Sequence, residues 1–230
     1  MAYIVAIDGT AGSGKGTVTK MVAEKLEMMN IDTGIIYRCI TLAVIDSGID
    51  YKEEVELEKL LQDMDISIKY DGKDQEAYLD KVDVTNRVRN KEVNELVSKI
   101  SGIRIVREYA NKIIREIAKY FLDQDISIIM EGRDITTVVF PEALVKIYMD
   151  ALVEERAKRR YKQNIDLGIS GDLLEIEDSL RKRDYEDMHR EYAALKRIPE
   201  AIYIDTTNLK IEEVVDKVIK IIEDRLREEE

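Results

Sequence analysis

The sequence predicts an α/β fold, a three-layer sandwich around a parallel central sheet, and three observations carry that expectation. Short apolar runs of strand length recur between segments of helical periodicity. A glycine-rich turn joins the first such run to the first helix. Period-two alternation is confined to residues 66 to 84, which predicts a small antiparallel β insertion within the strand–helix rhythm.

Taken in order, Tyr3-Ile4-Val5-Ala6-Ile7 is a continuous apolar strand ending in Asp8-Gly9. Beyond the glycine turn, Val18, Met21, Val22, Lys25, Leu26 and Met29 fall at helical spacing, so the first helix is expected to include Met29. Asp32-Thr33-Gly34 opens a second helix holding Tyr37, Leu42 and Val44, with Thr33 as its cap. Residues 53 to 62 read as a short acidic helix.

Ile66-Ser67-Ile68-Lys69-Tyr70 then alternates, turns at Asp71-Gly72-Lys73, and continues in Ala77-Tyr78-Leu79 and Val82-Asp83-Val84. Helices are expected over 91 to 101 and 104 to 122. Ile126-Ser127-Ile128-Ile129-Met130 is a second buried strand, terminating in Glu131-Gly132-Arg133-Asp134, and Leu144 to Met149 is a third. A basic helix starts at Glu154, and a charged helix spans 172 to 190. Ala201 to Asp205 is a last strand, 211 to 227 a last amphipathic helix, and Glu228-Glu229-Glu230 is expected to fray.

This gives a core of 1–62 with 88–230, interrupted by the insertion at 63–87. Apolar strands buried on both faces imply a parallel sheet, whose ligands bind beyond the carboxyl ends of the strands. The segments following Ile7, Met130 and Met149 all fall there.

The bulk composition narrows the function. A net charge of -12 speaks against a general nucleic-acid binder. No apolar stretch approaches the ~20 residues of a membrane helix, and no signal-peptide pattern is visible, so a cytoplasmic location is expected. Cys39, the single cysteine, excludes an internal disulfide and reads as a buried, inert thiol on a helix.

Gly9-Thr10-Ala11-Gly12-Ser13-Gly14-Lys15-Gly16-Thr17 lies between a strand and a helix, which is the context of a P-loop. Its glycines let backbone N–H groups converge on phosphate oxygens, and the helix N-terminus adds partial positive charge. Lys15 reaches the β- and γ-phosphates of a nucleoside triphosphate. Gly16 stands where a magnesium-binding Ser or Thr is usual, and the hydroxyl follows at Thr17. Mg2+ would then be held chiefly by phosphates and water, with Thr17 and a carboxylate in support. Glu131 is the first candidate for that carboxylate and Asp8 the alternative.

The loop alone leaves three classes open: a kinase of a small phosphorylated acceptor, a hydrolytic switch, and a nucleotide-binding regulator without turnover. A guanine-reading Asn-Lys-x-Asp is lacking at Asn90-Lys91-Glu92-Val93 and at Asn111-Lys112-Ile113-Ile114, and no water-positioning residue is evident. Arg156, Arg159 and Arg160 share a helix at i, i+3, i+4 spacing, as in a lid that closes over a triphosphate, and weigh against the regulator.

Asp32-Thr33-Gly34-Ile35-Ile36-Tyr37-Arg38 and Gly132-Arg133-Asp134-Ile135-Thr136-Thr137-Val138-Val139-Phe140-Pro141, taken with the P-loop, closely resemble the bacterial cytidylate kinase family. The likeness covers nearly the whole chain, including Asp83-Val84-Thr85, Glu155-Arg156-Ala157 and Ile204-Asp205-Thr206-Thr207. It implies a P-loop kinase sandwich with a helical lid at about 154–170, and transfer of the γ-phosphoryl of ATP to CMP or dCMP with Mg2+.

By the same resemblance Arg38, Arg133 and Arg190 grip the acceptor phosphate, a role suited to guanidinium forks. Thr33 and Asp187 match positions that bond the sugar hydroxyls, with Arg183 bracing Asp187. Ser98, Arg107 and Asp134 match positions around the base, and Tyr37 is counted among the substrate-binding residues. Lys15, Arg133, Arg156, Arg159 and Arg160 form the expected catalytic set.

The acceptor is already an anion, so no general base is needed, and His189, where the family usually has Asn, is read as a neighbour of the site. Glu131 replaces the usual Asp before Gly-Arg-Asp; Tyr192-Ala193-Ala194-Leu195 and Asp80-Lys81 also depart from the family pattern. A monomer is expected.

Overall fold

The structure is a computed structural model that describes residues 2–71, 74–166, 168 and 170–229. The expected turn at Gly72 and Lys73, Leu167 and Ile169 of the expected lid, and Glu230 of the expected frayed end lie outside the described residues.

Along the chain, β1 (Ile4–Gly9) leads into α1 (Lys15–Lys25), β2 (Met29–Asp32), α2 (Gly34–Ser47) and α3 (Glu54–Asp63). The strands β3 (Ile66–Asp71), β4 (Asp74–Leu79) and β5 (Val82–Asp83) follow, then α4 (Lys91–Ile100) and α5 (Arg104–Leu122). The remainder is β6 (Ile128–Gly132), a π-helical turn at Ile135–Val139, β7 (Val145–Asp150), α6 (Val153–Asp166), α7 (Leu173–His189), β8 (Ile202–Asp205) and α8 (Ile211–Glu229). Two compact units result: Met1–Ile31 with Gln124–Glu230, and Asp32–Asp123.

In the first unit the strand order is β2-β6-β1-β7-β8, and the registers of β1 with β6, β1 with β7 and β7 with β8 are all parallel. β1 sits in the middle because Val5, Ala6 and Ile7 are fully buried and have no polar face to offer solvent. Val5, Ile7, Ile129, Val145, Ile147, Met149 and Ile204 turn to one side and pack with Val18 and Val22 of α1 and Val214, Val215, Val218 and Ile222 of α8. The apolar stripe of α8 at i, i+1, i+4, i+8 is what binds it there.

Register brings the carboxyl ends of these strands level. Ile7 pairs with Glu131, Asp8 with Gly132 on one side and Tyr148 on the other, and Gly9 with Met149. Gly9 is required at this approach: a Cβ there would stand 1.8 Å from the Met149 carbonyl oxygen, at a φ of +152°.

In the second unit β3, β4 and β5 form an antiparallel sheet, and α2 packs against α3, α4, α5 and β4. α2 is buried along most of its length, from Ile35 to Val44, which explains its nearly uninterrupted apolar sequence. Cys39 is fully buried within it, and burial pushes the thiol up to about 12.

Three local expectations are corrected. The first helix stops at Lys25, and Met29 begins a strand, because Glu27 adopts a left-handed backbone (φ 53°) and Met28 N–H bonds back to the Ala23 carbonyl. Thr33 occupies the cap position of α2 but makes no side-chain cap bond; Asp32 Oδ1 instead accepts from Gly34 N at 2.9 Å. The second buried strand begins at Ile128 and takes in Glu131 and Gly132, so Glu131 belongs to the strand itself.

Candidate active site

The glycine-rich loop is braced from several directions within the first unit. Lys15, 4% exposed, folds its ammonium over the loop and donates to the carbonyls of Gly9 (2.9 Å) and Thr10 (2.7 Å) and to Ser13 Oγ (3.4 Å). Burial pulls its pKa down to about 7, with Arg133 adding to that and Glu131 and Asp8 opposing it. A phosphate anion against this ammonium would favour its charged form. Thr10 Oγ1 donates to Asp150 Oδ1 at 2.6 Å, and Thr206 Oγ1 donates to the Ser13 carbonyl at 3.1 Å. Gly12 and Gly14 carry positive φ values of 76° and 94°, the conformations a phosphate cradle needs.

Gly16 and Glu131 explain each other. A Cβ on residue 16 would lie 2.5 Å from Glu131 Oε1, so the longer acid of β6 reaches over the first turn of α1 where a Ser or Thr side chain would begin. Thr17 beside it is exposed. Asp8, the alternative carboxylate, is fully buried with both oxygens engaged: Oδ1 accepts from Ile135 N (2.9 Å), and Oδ2 from Thr136 N (2.7 Å) and Thr136 Oγ1 (2.6 Å). Burial pushes its carboxyl up, and the Thr136 bonds work against that shift.

Beyond β6, Arg133, Arg190 and Asp187 meet. Arg133 Nε donates to Asp187 Oδ2 at 2.8 Å, and Arg190 Nη1 lies 3.7 Å from Asp187 Oδ1. Burial alone would push the Asp187 carboxyl up, but Arg133, Arg183 and Arg190 together outweigh it and hold the group below its usual value. Asp134, 2% exposed, closes the turn: its carbonyl accepts from Val138 N (2.8 Å) and Val139 N (3.1 Å).

The three arginines of α6 share one spacing and have three environments. Arg156, 5% exposed, donates to the carbonyls of Ala11 and Ala151 (both 2.8 Å) and pairs with Asp184 Oδ2 of α7 at 2.5 Å. Asp184 Oδ1 in turn accepts from Ala11 N at 3.0 Å, so the Ala11 peptide is held at both its N–H and its C=O. Arg159 donates to the Thr206 and Thr207 carbonyls and to Thr206 Oγ1. Arg160 is exposed and donates to Gln163. His189 is exposed and stacks on Tyr185, with ring centroids 4.1 Å apart.

In the second unit, Arg107 is 2% exposed, lies 5.0 Å from the Tyr37 ring centroid and donates to the Ser101 carbonyl at 2.8 Å. Tyr37 donates its hydroxyl to Asn111 Oδ1 at 3.3 Å. Arg38 donates to Asn94 Oδ1 (2.7 Å) and the Val88 carbonyl (3.2 Å). Asn94 lies one turn before the half-buried Ser98 on α4, and Thr33 is buried at the head of α2.

A cytidylate kinase family model matches residues 5–224. The chain belongs to the cytidylate kinase family. A cytidylate kinase of Fusobacterium nucleatum subsp. nucleatum is 43% identical over 220 residues, covering 96% of this chain and 97% of that protein. One of Lactobacillus johnsonii is 42% identical over 219 residues, covering 95% and 93%. Among solved structures, an uncharacterized protein from Eubacterium ventriosum superposes with a TM-score of 0.51 at 13% identity, covering 97% of this chain and 99% of that one. Thermus thermophilus TT1252 gives 0.50 at 16%, covering 98% of each chain. These two likenesses concern the α/β fold alone.

In this cytidylate kinase family member, the residues that sequence reasoning passed over are those that hold the others: Thr136, Asp150, Asp184 and Thr206 in the first unit, Asn94 and Asn111 in the second. Asp184 lay next to Arg183 in plain view, but nothing in its spacing indicates a partner at Ala11, 173 positions away.

Proposed function

We propose that this chain transfers the γ-phosphoryl of ATP to CMP or dCMP, giving ADP and CDP or dCDP, in pyrimidine nucleotide metabolism. The family match over residues 5–224 supports the reaction class. The observation that carries the site reading is the convergence, within one unit, of a phosphate-cradling loop and the Arg133–Asp187–Arg190 cluster. The loop suits the donor's phosphates and the guanidinium forks suit the acceptor's.

Gly9, Thr10, Ala11, Gly12, Ser13, Gly14, Lys15, Gly16 and Thr17 hold the triphosphate. Lys15, Arg133, Arg156, Arg159 and Arg160 stabilise charge on the transferring group, the lid arginines leaving their present partners to do so. Arg38 and Arg190 join Arg133 on the acceptor phosphate. Thr33 and Asp187, braced by Arg183, take the sugar; Tyr37, Ser98, Arg107 and Asp134 take the base. Uracil would present an acceptor to the Asp134 carboxylate where cytosine presents an amino donor, and buried mismatches of that kind allow discrimination of up to ~10⁴ to 10⁵.

The oxygen donors of Glu131 and Thr17 fit Mg2+, with Glu131 reaching over the loop's helix at Gly16. Among the described residues no group of three or more His, Cys, Asp or Glu could hold a metal ion, so phosphates and water would supply most ligands. When bound, the ion neutralises phosphate charge. Among the described residues no helix is long and apolar enough to cross a membrane. A cytoplasmic monomer, with the 63–87 insertion serving nucleoside monophosphate binding and the lid at about 154–170, completes the proposal.

The test is ADP formation from ATP and Mg2+ with CMP, dCMP, UMP, AMP or no acceptor. CMP and dCMP should stimulate strongly, UMP and AMP weakly. Equal ADP formation with and without CMP would refute the reading.

A further inference from the structure

We propose that Asp8 is a positioning residue for the acceptor side of the reaction, holding the Arg133-Asp134 turn in fixed relation to the phosphate loop. The inference rests on the reading of Arg133 and Asp134 as acceptor-binding residues.

Asp8 is the penultimate residue of β1, and its main chain runs directly into Gly9, where the phosphate loop starts. Its side chain goes elsewhere. Both carboxylate oxygens accept from the first residues of the π-helical turn, Ile135 N at 2.9 Å, Thr136 N at 2.7 Å and Thr136 Oγ1 at 2.6 Å. The first N–H groups of a helical turn have no partner inside it. Asp134, which occupies the local cap position, makes no side-chain cap bond. The cap is therefore supplied across the sheet, from a residue 127 and 128 positions earlier in the chain.

Two anchors then bracket the acceptor residues. On one side Gly132 is paired with Asp8 through the β1–β6 register. On the other, Ile135 and Thr136 are held by the Asp8 carboxylate. Only Arg133 and Asp134 lie between, so the residue that leads into the donor loop also sets where these two side chains start from. Hydrogen bonds to a charged carboxylate are short and about twice as strong as neutral ones, which suits an element that must not drift. Displacements of about 1 Å in a positioned group cost about 10²-fold in rate.

Thr136→Val removes one donor while leaving the backbone bonds in place, and Asp8→Asn turns one accepting oxygen into an NH2 donor, so the bond or bonds at that atom are lost. Each is assayed as purified full chain for KM of CMP and of ATP separately, for kcat, for the CMP-to-UMP ratio, and for melting temperature. Thr136→Val should raise KM for CMP by about tenfold and lower the CMP-to-UMP ratio, with KM for ATP changed by less than about twofold. Thr136→Ser, which keeps the hydroxyl, should return KM for CMP to near the wild-type value. Parallel increases in both KM values, or a Thr136→Ser variant that behaves like Thr136→Val, would overturn the proposal. Should Asp8→Asn fail to fold, the Thr136 pair decides alone. A wild-type chain without CMP-stimulated ADP formation would instead strike the functional reading itself, and the proposal with it.

Discussion

Replacing Asp184 by Asn should destabilise the first unit by about 3 kcal/mol, because it removes the carboxylate charge that pairs with the buried Arg156 guanidinium. The side chains of Arg156 and Asp184 are 6% and 11% exposed and 2.5 Å apart. Breaking such a pair from one side typically costs ~3–5 kcal/mol, most of it the uncompensated charge left behind. The low end applies here, because the Ala11 and Ala151 carbonyls continue to accept from Arg156, and the Asn carbonyl can still accept from Ala11 N. For a chain of this size ~3 kcal/mol corresponds to a fall in Tm of roughly 6–12 °C. The assay is thermal unfolding by circular dichroism, run on wild type, Asp184→Asn and the double variant Arg156→Met with Asp184→Leu. A buried ion pair replaced by apolar groups of similar volume is often neutral or stabilising. The double variant should therefore recover most of the loss in Tm while kcat falls on the order of 10³-fold, as for removal of a phosphate-facing arginine. A fall of less than 2 °C for Asp184→Asn, or a double variant no more stable than the single, would refute the reasoning.

Gly9→Ala places a Cβ 1.8 Å from a backbone carbonyl that cannot move without breaking the β1–β7 pairing, so a loss above ~4 kcal/mol is expected, seen as insoluble expression or a collapsed melting curve. Asp134→Ala should erase the preference for CMP over UMP in steady-state assays while ATP binding, followed by a fluorescent nucleotide, survives; Lys15→Ala should abolish turnover with every acceptor. The Asp187 carboxyl is held below the 3.8 of a free aspartate, so its contribution to stability is present above that pH and is lost as the pH falls through the lower folded value. Asp187→Asn should accordingly be less stable at neutral pH yet show a shallower loss of stability on acidification below about pH 4, measured by urea unfolding across the range.

The first strand, the glycine-rich loop and its helix were legible because the loop's glycines permit the sharp exit from a buried strand. β2 was not legible. A helix normally announces its end with Gly or Pro, whereas here Glu27 takes the left-handed conformation without either, and Met29 falls by coincidence at helical spacing from Leu26. Residue types also concealed which of two tasks a charged group performs. Asp8 at the end of the first strand reads from the sequence as an alternative to Glu131 for supporting a metal, and nothing in its spacing indicates that its carboxylate accepts from Ile135 N and Thr136 N.

Arg156, Arg159 and Arg160 make the same point from the opposite direction. Periodicity assigns all three to one face of a helix and therefore to one role, yet one is buried, one half-buried and one exposed. The difference comes from partners far along the chain. Arg156 meets Ala11 at a separation of 145 residues and Arg159 meets Thr206 at 47, while Arg160 donates to Gln163 three positions on. Spacing fixes which way a side chain leaves its helix; whether anything is there to receive it is decided by the packing of other elements. Since Arg156 is tied to the peptide of Ala11 inside the phosphate loop itself, any movement that carries it to a phosphate must also release that peptide. Helix α6 and the loop are thus expected to rearrange together.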